Sequence, residues 1–410
     1  MRRLLAAALA HVSGSGATAG FAALLAVVSI DRAPAAARSL TDVFRSGTLA
    51  GLELEPVGRA LANSVASTYP VASASSSVTY TFNPATDTFD RQTGVLGPII
   101  GERAETIGER RVDVALGYSY VRLTSIDGQD LGSLVNEPII DGRFVFERVP
   151  EGVELRDGRR TNVLPVRVLA DLDVEAQIVT PSVTYGVTAD LDVNVSLPLL
   201  RTFLRASVMT ERPDPRLPQF SLPEGSPAAM QRDESSSASS VGVGDLLLRA
   251  KYILLRDRPV SVAAALGLSL PTGDADDLQG TGTTRVQPTL VLSRVLWGRF
   301  EPLLNLGMDI DADDVDRSVF RWAVGGTGHV AGPLHGQVIF LGRNELAPLT
   351  DQIETPFFFQ IERNDIYDVA LGLRWLFAGS GVASVNFLMP LNDEGLRADF
   401  IPTVALEYTF

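Results

Sequence analysis

The chain has 410 residues, a formal net charge of −14 at pH 7 and no cysteine. The acidic balance argues against nucleic acid as a partner, because phosphate neutralisation needs clustered Lys and Arg. The missing thiols exclude a disulfide framework, a thiolate metal site and a cysteine nucleophile.

Hydrophobic residues make up 45% of the chain, yet no run reaches the roughly 18 apolar residues of a spanning helix. Lipid-facing strands give that combination, because only alternate residues are apolar. A soluble all-β protein is the competing reading.

The amino terminus opens with Met1-Arg2-Arg3, runs through the apolar stretches Leu4 to Leu9 and Phe21 to Ile30, and exits through Ala33-Pro34-Ala35-Ala36-Ala37-Arg38. A basic start, an apolar region and a small-residue exit read as a secretory signal peptide over residues 1–37, cleaved after Ala37. An amino-terminal anchor is the alternative, and the apolar segments are short for it.

Residues 38–108 read as a plug or periplasmic segment. Arg38 to Val57 could hold a short amphipathic helix. Ser77 to Phe82 and Thr86 to Arg91 form a hairpin candidate around Asn83-Pro84-Ala85. Its arms are shorter than the roughly 9–11 residues that span a bilayer.

Residues 109–410 read as an antiparallel, up-and-down transmembrane β-barrel. Alternation marks about 12 strands, at 109–125, 161–187, 189–210, 241–256, 259–272, 284–297, 299–312, 316–331, 333–346, 364–377, 381–391 and 397–410. The count becomes 14 if the amino-terminal hairpin joins the wall. Phe300, Pro302, Leu304, Leu306, Met308 and Ile310, for example, share one face. Short links after 187, 256, 297, 331 and 377 mostly alternate with long ones at 126–160, 211–240 and 347–363. That places short turns on one rim and longer loops on the other. Tyr185, Trp297, Phe300, Trp375, Phe377, Tyr408 and Phe410 fall near the short-turn rim, where an aromatic girdle belongs. Pro181 lies inside a strand candidate whose apolar face changes between Ile178 and Val183, which predicts a bulge.

Four stretches carry a family resemblance. They are Gly97-Pro98-Ile99-Ile100-Gly101-Glu102-Arg103-Ala104-Glu105-Thr106-Ile107-Gly108; Val183 to Val193; Val241-Gly242-Val243-Gly244-Asp245-Leu246 with Lys251-Tyr252; and Leu270-Pro271-Thr272-Gly273-Asp274. In order and spacing, over most of 97–410, they resemble the outer-membrane family named for the MetA pathway of phenol degradation. The resemblance implies a barrel in the Gram-negative outer membrane that passes hydrophobic or aromatic compounds. The glycines and prolines of these stretches also suit sharp strand entries and exits.

The lumen side is expected to carry Arg111, Asp113, Asp171, Asp173, Glu175, Gln177, Asp192, Asn194, Arg249, Lys251, Gln287, Glu301, Asn305, Arg321, His335, Gln337, Arg343, Arg374 and Glu407. On the lipid side, an unpaired charge would cost about 2–4 kcal/mol at the bilayer midplane. Such a set forms either a polar pore with ion-pair gates or a filled, salt-bridged lumen. Asp309 to Asp316 looks like a calcium loop, but Asp314 stands where the turn glycine belongs and Phe320 where the bidentate Glu belongs. An EF-hand is therefore rejected. Gly325-Gly326-Thr327-Gly328 lacks the Lys of a phosphate loop and reads as close strand packing. His329 and His335 flank a turn without the partners of a nucleophilic triad.

On the last strand, Val404, Leu406, Tyr408 and Phe410 face one way and Glu407 the other, so Glu407 needs a cationic partner such as Arg111. An aromatic carboxyl terminus resembles the signal read by the barrel-assembly machinery. The expectation is thus a channel for small hydrophobic or aromatic molecules by passive diffusion, in contact with outer-membrane lipid and lipopolysaccharide. Cofactor, metal and catalytic residues are not expected. A narrow general porin and a structural or surface-interaction barrel are the alternatives.

Overall fold

In the computed structural model the described residues are Leu40, the hairpin strands 79–83 and 88–92, and residues 95–135, 146–256, 260–347 and 365–410. The expected signal peptide at 1–37, the helix at 38–57 apart from Leu40, and most of the 347–363 loop lie outside them. The strands Thr79–Asn83 and Thr88–Gln92 pair with each other as a separate two-stranded sheet. They do not enter the wall, so the count of 14 does not arise.

Twelve strands close into a barrel. In chain order they are β1 (Val112–Leu123), β2 (Arg167–Gly186), β3 (Leu191–Ser196 continuing as Leu199–Arg212), β4 (Met230–Val243 continuing as Leu246–Leu255), β5 (Ser261–Leu270) and β6 (Arg285–Ser293). The others are β7 (Phe300–Asp311), β8 (Val319–Ala331), β9 (Leu334–Glu345), β10 (Asp365–Phe377), β11 (Gly381–Pro390) and β12 (Ile401–Thr409). Each is antiparallel to its neighbours, and β12 meets β1 from Thr403↔Ser119 to Thr409↔Asp113. Closure leaves the bilayer-height wall without an edge, the condition for crossing lipid with strands.

Alternation sets the two surfaces. On β7, Glu301, Leu303, Asn305, Asp309 and Asp311 are buried inside, while Phe300 and Leu306 are exposed outside. The seven rim aromatics named above are all exposed, Trp297 at 85% and Trp375 at 60%. An apolar exterior with aromatics at one rim is the surface a bilayer requires.

β2, β3 and β4 outrun the others. Residues 167–179, 199–212 and 230–243 pair side by side, with β1 alongside up to Val174, and run on as a three-stranded projection beyond the end of β1. Two sequence expectations change here. Residues 161–165 belong to a side hairpin, Phe146–Glu154 with Arg160–Pro165, rather than to β2. The serine-rich stretch 230–240, read as loop, is strand paired residue for residue with β3.

The expected bulge near Pro181 is absent. The β1–β2 register runs from Val112↔Tyr185 to Leu123↔Val174 without a shift. Even-numbered β2 residues point inward throughout. What changes is the chemistry: Thr184 and Ser182 line the lumen below, whereas Ile178, Ala176, Val174, Leu172, Ala170 and Val168 are inside above. In this upper part the outer face carries charged residues and the inside is an ordinary apolar core. The bulge lies instead on β4 at Gly244-Asp245. There Val243 faces Leu199 while Leu247 faces Ser196, so β4 carries one extra residue.

Candidate functional site

Residues 95–108 lie inside the barrel as an extended belt and visit the wall strands in turn. An extended chain brings unpaired N–H and C=O groups wherever it goes, and burial obliges each to find a partner. The wall supplies side chains. Thr327 on β8 donates to the Leu96 carbonyl at 2.9 Å, and Arg374 on β10 donates to that of Gly97. On β9, Gln337 accepts from Ile99 N at 2.7 Å. Asn305 on β7 accepts from Glu102 N at 2.7 Å and donates to its carbonyl at 2.9 Å, as a paired strand would. Ser293 on β6 accepts from Ala104 N at 3.0 Å. Lys251 on β4 donates to the carbonyls of Arg103 and Glu105, at 3.1 and 2.6 Å. Asp192 on β3 accepts from Ile107 N at 3.0 Å. The belt then turns into β1, where Arg110 N reaches the Gly186 carbonyl at 2.8 Å.

Ion pairs reinforce these bonds. Arg103 meets Glu301 at 3.1 Å with both side chains buried. Glu102 is bonded by Arg249 and lies 3.9 Å from Lys251. Glu105 and Asp190 share Arg256, at 3.1 and 2.9 Å, near the short-turn rim. Buried charges persist where they are paired and hydrogen-bonded.

Above the belt the wall changes character. One row of inward cross-strand neighbours reads Glu301, Thr327, Gln337, Gly372, Asn386 and Thr403. The next row reads Leu303, Gly325, Ile339, Ala370, Leu388 and Ile401. Ile99 and Ile100 of the belt pack into this apolar row. Between the belt and the inward-folded segment 396–398 lies a cavity of about 170 Å³, bordered by Ile100, Ala323, Leu341, Leu388 and Ile401 and by charged side chains.

The expected lumen residues fall into four sets. Asp113, Asp192, Asn194, Arg249, Lys251, Glu301, Asn305, His335, Gln337, Arg374 and Glu407 lie on the inner face of the lower barrel and are buried, apart from the half-buried Arg249. Arg111 sits at the lower rim. Gln287, Arg321 and Arg343 border the cavity. Asp171, Asp173, Glu175 and Gln177 do not face the lumen. They lie on the outer face of the projection, where Arg122 pairs with Asp173 at 3.2 Å and with Glu175 at 3.7 Å. Their alternation is intact, but water bathes that outer face, so a charge there has no cost to avoid.

Glu407 points inward, and a guanidinium that holds it, at 2.7 Å, is that of Arg374, two strands away. Val404, Tyr408 and Phe410 are exposed on the outer face, and the rings of Tyr408 and Phe410 lie 4.7 Å apart. Phe410 N donates to the Val112 carbonyl at 2.8 Å across the seam. Gly326 and Gly328 lie beneath the Phe300 ring, and His329 and His335 stack edge to face at 5.3 Å.

Sequence reasoning missed Glu102, Arg103 and Glu105 as lumen groups, although their stretch stood out as a motif. It also missed that two glycine motifs meet. Asp245 accepts from Gly273 N at 3.1 Å and from Thr281 N and Oγ1, both at 2.8 Å, while Thr272 Oγ1 donates to the Gly244 carbonyl at 2.7 Å. The bulge thereby pins the loop after β5, whose Leu278 is buried in the upper core. In the acidic loop, Asp311 accepts from Asp313 N at 3.0 Å and pairs with Arg285 at 3.5 Å, so its oxygens are engaged internally.

Residues 154–333 match the model of the family described as "Putative MetA-pathway of phenol degradation". That bears out the resemblance drawn from the sequence, over a shorter span than 97–410. The belt motif at 97–108 lies outside the match. No curated protein matches the chain in sequence. Among solved structures, an outer membrane channel from Pseudomonas putida F1 is 13% identical with a TM-score of 0.44, covering 75% of this chain and 98% of its own. The Pseudomonas putida toluene transporter TodX is 11% identical with a TM-score of 0.38, covering 85% and 97%. The Ralstonia pickettii toluene transporter TbuX is 11% identical with a TM-score of 0.35, covering 74% and 90%. The barrel assignment stands on this chain's own strand register.

Proposed function

Starting from the match of residues 154–333 to the phenol-degradation family, we propose that this chain is an outer-membrane channel for small hydrophobic or aromatic molecules, crossed by passive diffusion. Residues 95–108 act in it as an internal plug. The observation that carries the proposal is the division of the lumen. A polar girdle grips the belt, and directly above it an apolar row and a cavity of about 170 Å³ offer room for a small solute. Sites for small organic ligands are mostly apolar with placed polar groups; here an apolar lining is joined by six charged side chains.

A plugged lumen also bears on the porin alternative. The belt bonds to seven wall strands (β3, β4, β6, β7, β8, β9 and β10), which opposes a standing water-filled pore. The apolar exterior would sit in outer-membrane lipid, with lipopolysaccharide around the projection. The carboxyl-terminal strand would be the part presented to the assembly machinery.

The test is flux. Liposomes holding the purified protein should equilibrate a one-ring solute such as phenol faster than protein-free liposomes, with little ion conductance in planar bilayers. Equal phenol rates in the two preparations would reject the channel. A large stable conductance would favour the general porin.

A further inference from the structure

We propose that Gln287 and Thr289 form the hydrogen-bonding side of the cavity above the belt, so that it takes an uncharged one-ring solute bearing a hydroxyl; this names a solute class and rests on the channel reading above.

Size restricts the solute to one ring. The cavity measures about 170 Å³, close to the roughly 150 Å³ of an engineered apolar cavity that takes up benzene. A fused-ring system or a nucleotide does not fit.

Charge restricts it to a neutral one. Each charge at the cavity already faces its opposite. Arg249 bonds Glu102, Arg397 holds Asp368 at 2.7 Å, and Arg321 lies 3.4 Å from Asp309. Asp309 and Glu345 also act on Arg343. A ring carboxylate would have to leave water and compete with these carboxylates for a guanidinium, and a buried charge without its own partner is costly. An uncharged ring meets no such cost among Ala323, Leu341, Leu388 and Ile401.

The polar side comes from β6. Its inward residues, from the long-loop end, are Arg285, Gln287, Thr289, Val291 and Ser293. Arg285 pairs with Asp309 and Asp311, each at 3.5 Å, and Ser293 accepts from Ala104 N of the belt at 3.0 Å. Gln287 and Thr289, between them, border the cavity and are half-buried. Among the described residues, no hydrogen bond engages either side chain. Their neighbours are small. Across the ladder Gly267 faces Gln287, while Ala265 and Gly307 face Thr289. A Cβ at Gly267 would lie 3.0 Å from Gln287 Oε1, and one at Gly307 would lie 2.8 Å from Thr289 Oγ1. The two glycines thus keep an amide and a hydroxyl clear beside the cavity. Both groups donate and accept, as a solute hydroxyl does. When a ring displaces the water there, its hydroxyl restores the bonds, whereas a hydrocarbon of the same size leaves them unmade.

The experiment is calorimetric titration of the full chain in detergent, against protein-free micelles, with benzyl alcohol, toluene and benzoate. Benzyl alcohol should bind at least about tenfold more tightly than either of the others. A toluene or benzoate affinity equal to or above that of benzyl alcohol would overturn the proposal, as would binding of none of the three. The Q287L/T289V variant should lose about tenfold for benzyl alcohol and keep its toluene affinity, which also reports that the barrel has assembled. Unchanged benzyl alcohol binding in it would overturn the proposal. T289S keeps the hydroxyl and should bind as the parent does; a loss as large as that of T289V would reject the role of the hydroxyl. A265F fills the cavity and keeps both polar side chains, so it should lose both neutral probes, and benzyl alcohol binding that survives it would overturn the site. Phenol flux through liposomes separates the two readings. Flux without benzyl alcohol preference rejects this site and leaves the channel standing, whereas benzyl alcohol binding without flux supports the site and rejects the channel.

Discussion

Lys251 is one of the wall side chains that hold the belt by two bonds. It is buried, and its ammonium donates to the carbonyls of Arg103 and Glu105 at 3.1 and 2.6 Å. In Lys251→Met the stem is kept in shape and both bonds are removed. Each carbonyl left bare costs about 1–3 kcal/mol, so the belt loses about 2–6 kcal/mol against the wall. Glu102 also loses a cation at 3.9 Å, although Arg249 still holds it. The wall itself is untouched, because its backbone ladder does not pass through this side chain. At about 1.4 kcal/mol per tenfold, the loss raises the fraction of open belt by about 30-fold or more. The absence of cysteine from the sequence provides the assay. A single Ala104→Cys on the belt, buried in the parent chain, should react with a maleimide at least about 30-fold faster once Lys251→Met is added. The barrel's circular dichroism should stay the same. Equal labelling rates in the two backgrounds would refute the assignment of belt stability to this residue.

Leu306→Arg, on the lipid face of β7, should destabilise the barrel by about 2–4 kcal/mol in bilayer refolding titrations; a neutral result would mean that this face does not meet lipid. Asp245→Ala removes three hydrogen bonds that pin the loop after β5. Limited proteolysis should then cut within 273–283, where the parent resists. Deleting Phe410 removes an outer-face aromatic and the bond to Val112 across the seam. The amount of barrel recovered from the outer membrane should fall far more than phenol flux per assembled barrel; normal yield would argue against an assembly role. In the projection, burial pushes the Asp214 carboxyl up, but bonds from the Arg216 backbone and guanidinium outweigh it and hold the group below the ordinary carboxylate value. A depressed carboxylate contributes stability in full above its unfolded pKa of about 3.9 and loses it as pH falls through the folded value. The loop 213–229 should therefore resist an acid-active protease at pH 5 and yield only well below pH 4. Release already at pH 5 would contradict this.

Much of the wall was legible from the residues alone. Period-2 alternation is a local property, and a lipid-facing strand has to show it, because each outward polar group is costly. Phe300 to Ile310 therefore announced both faces of β7, and the alternation of short and long links announced the count of 12 and the closing role of the last strand. The short-turn aromatics were equally plain, since an interfacial ring belongs at a strand end.

What the sequence left open has one physical cause: alternation gives two faces but does not say what medium each meets. Asp171, Asp173 and Glu175 alternate as cleanly as Asp192 and Asn194. Only the height of β2 above the other strands puts the first three in water outside and leaves the apolar residues within. The same limit hid the pairing of Glu407 with Arg374, which depends on barrel curvature rather than strand adjacency. It hid the belt as well. Residues 95–108 show no regular period, because their backbone is satisfied by side chains of β3 to β10 that lie 85 to 277 positions away. Sequence alone determined most of the wall strands and their two faces. Closure of the barrel decided which charges meet, where the cavity lies, and which segment fills the space beneath it.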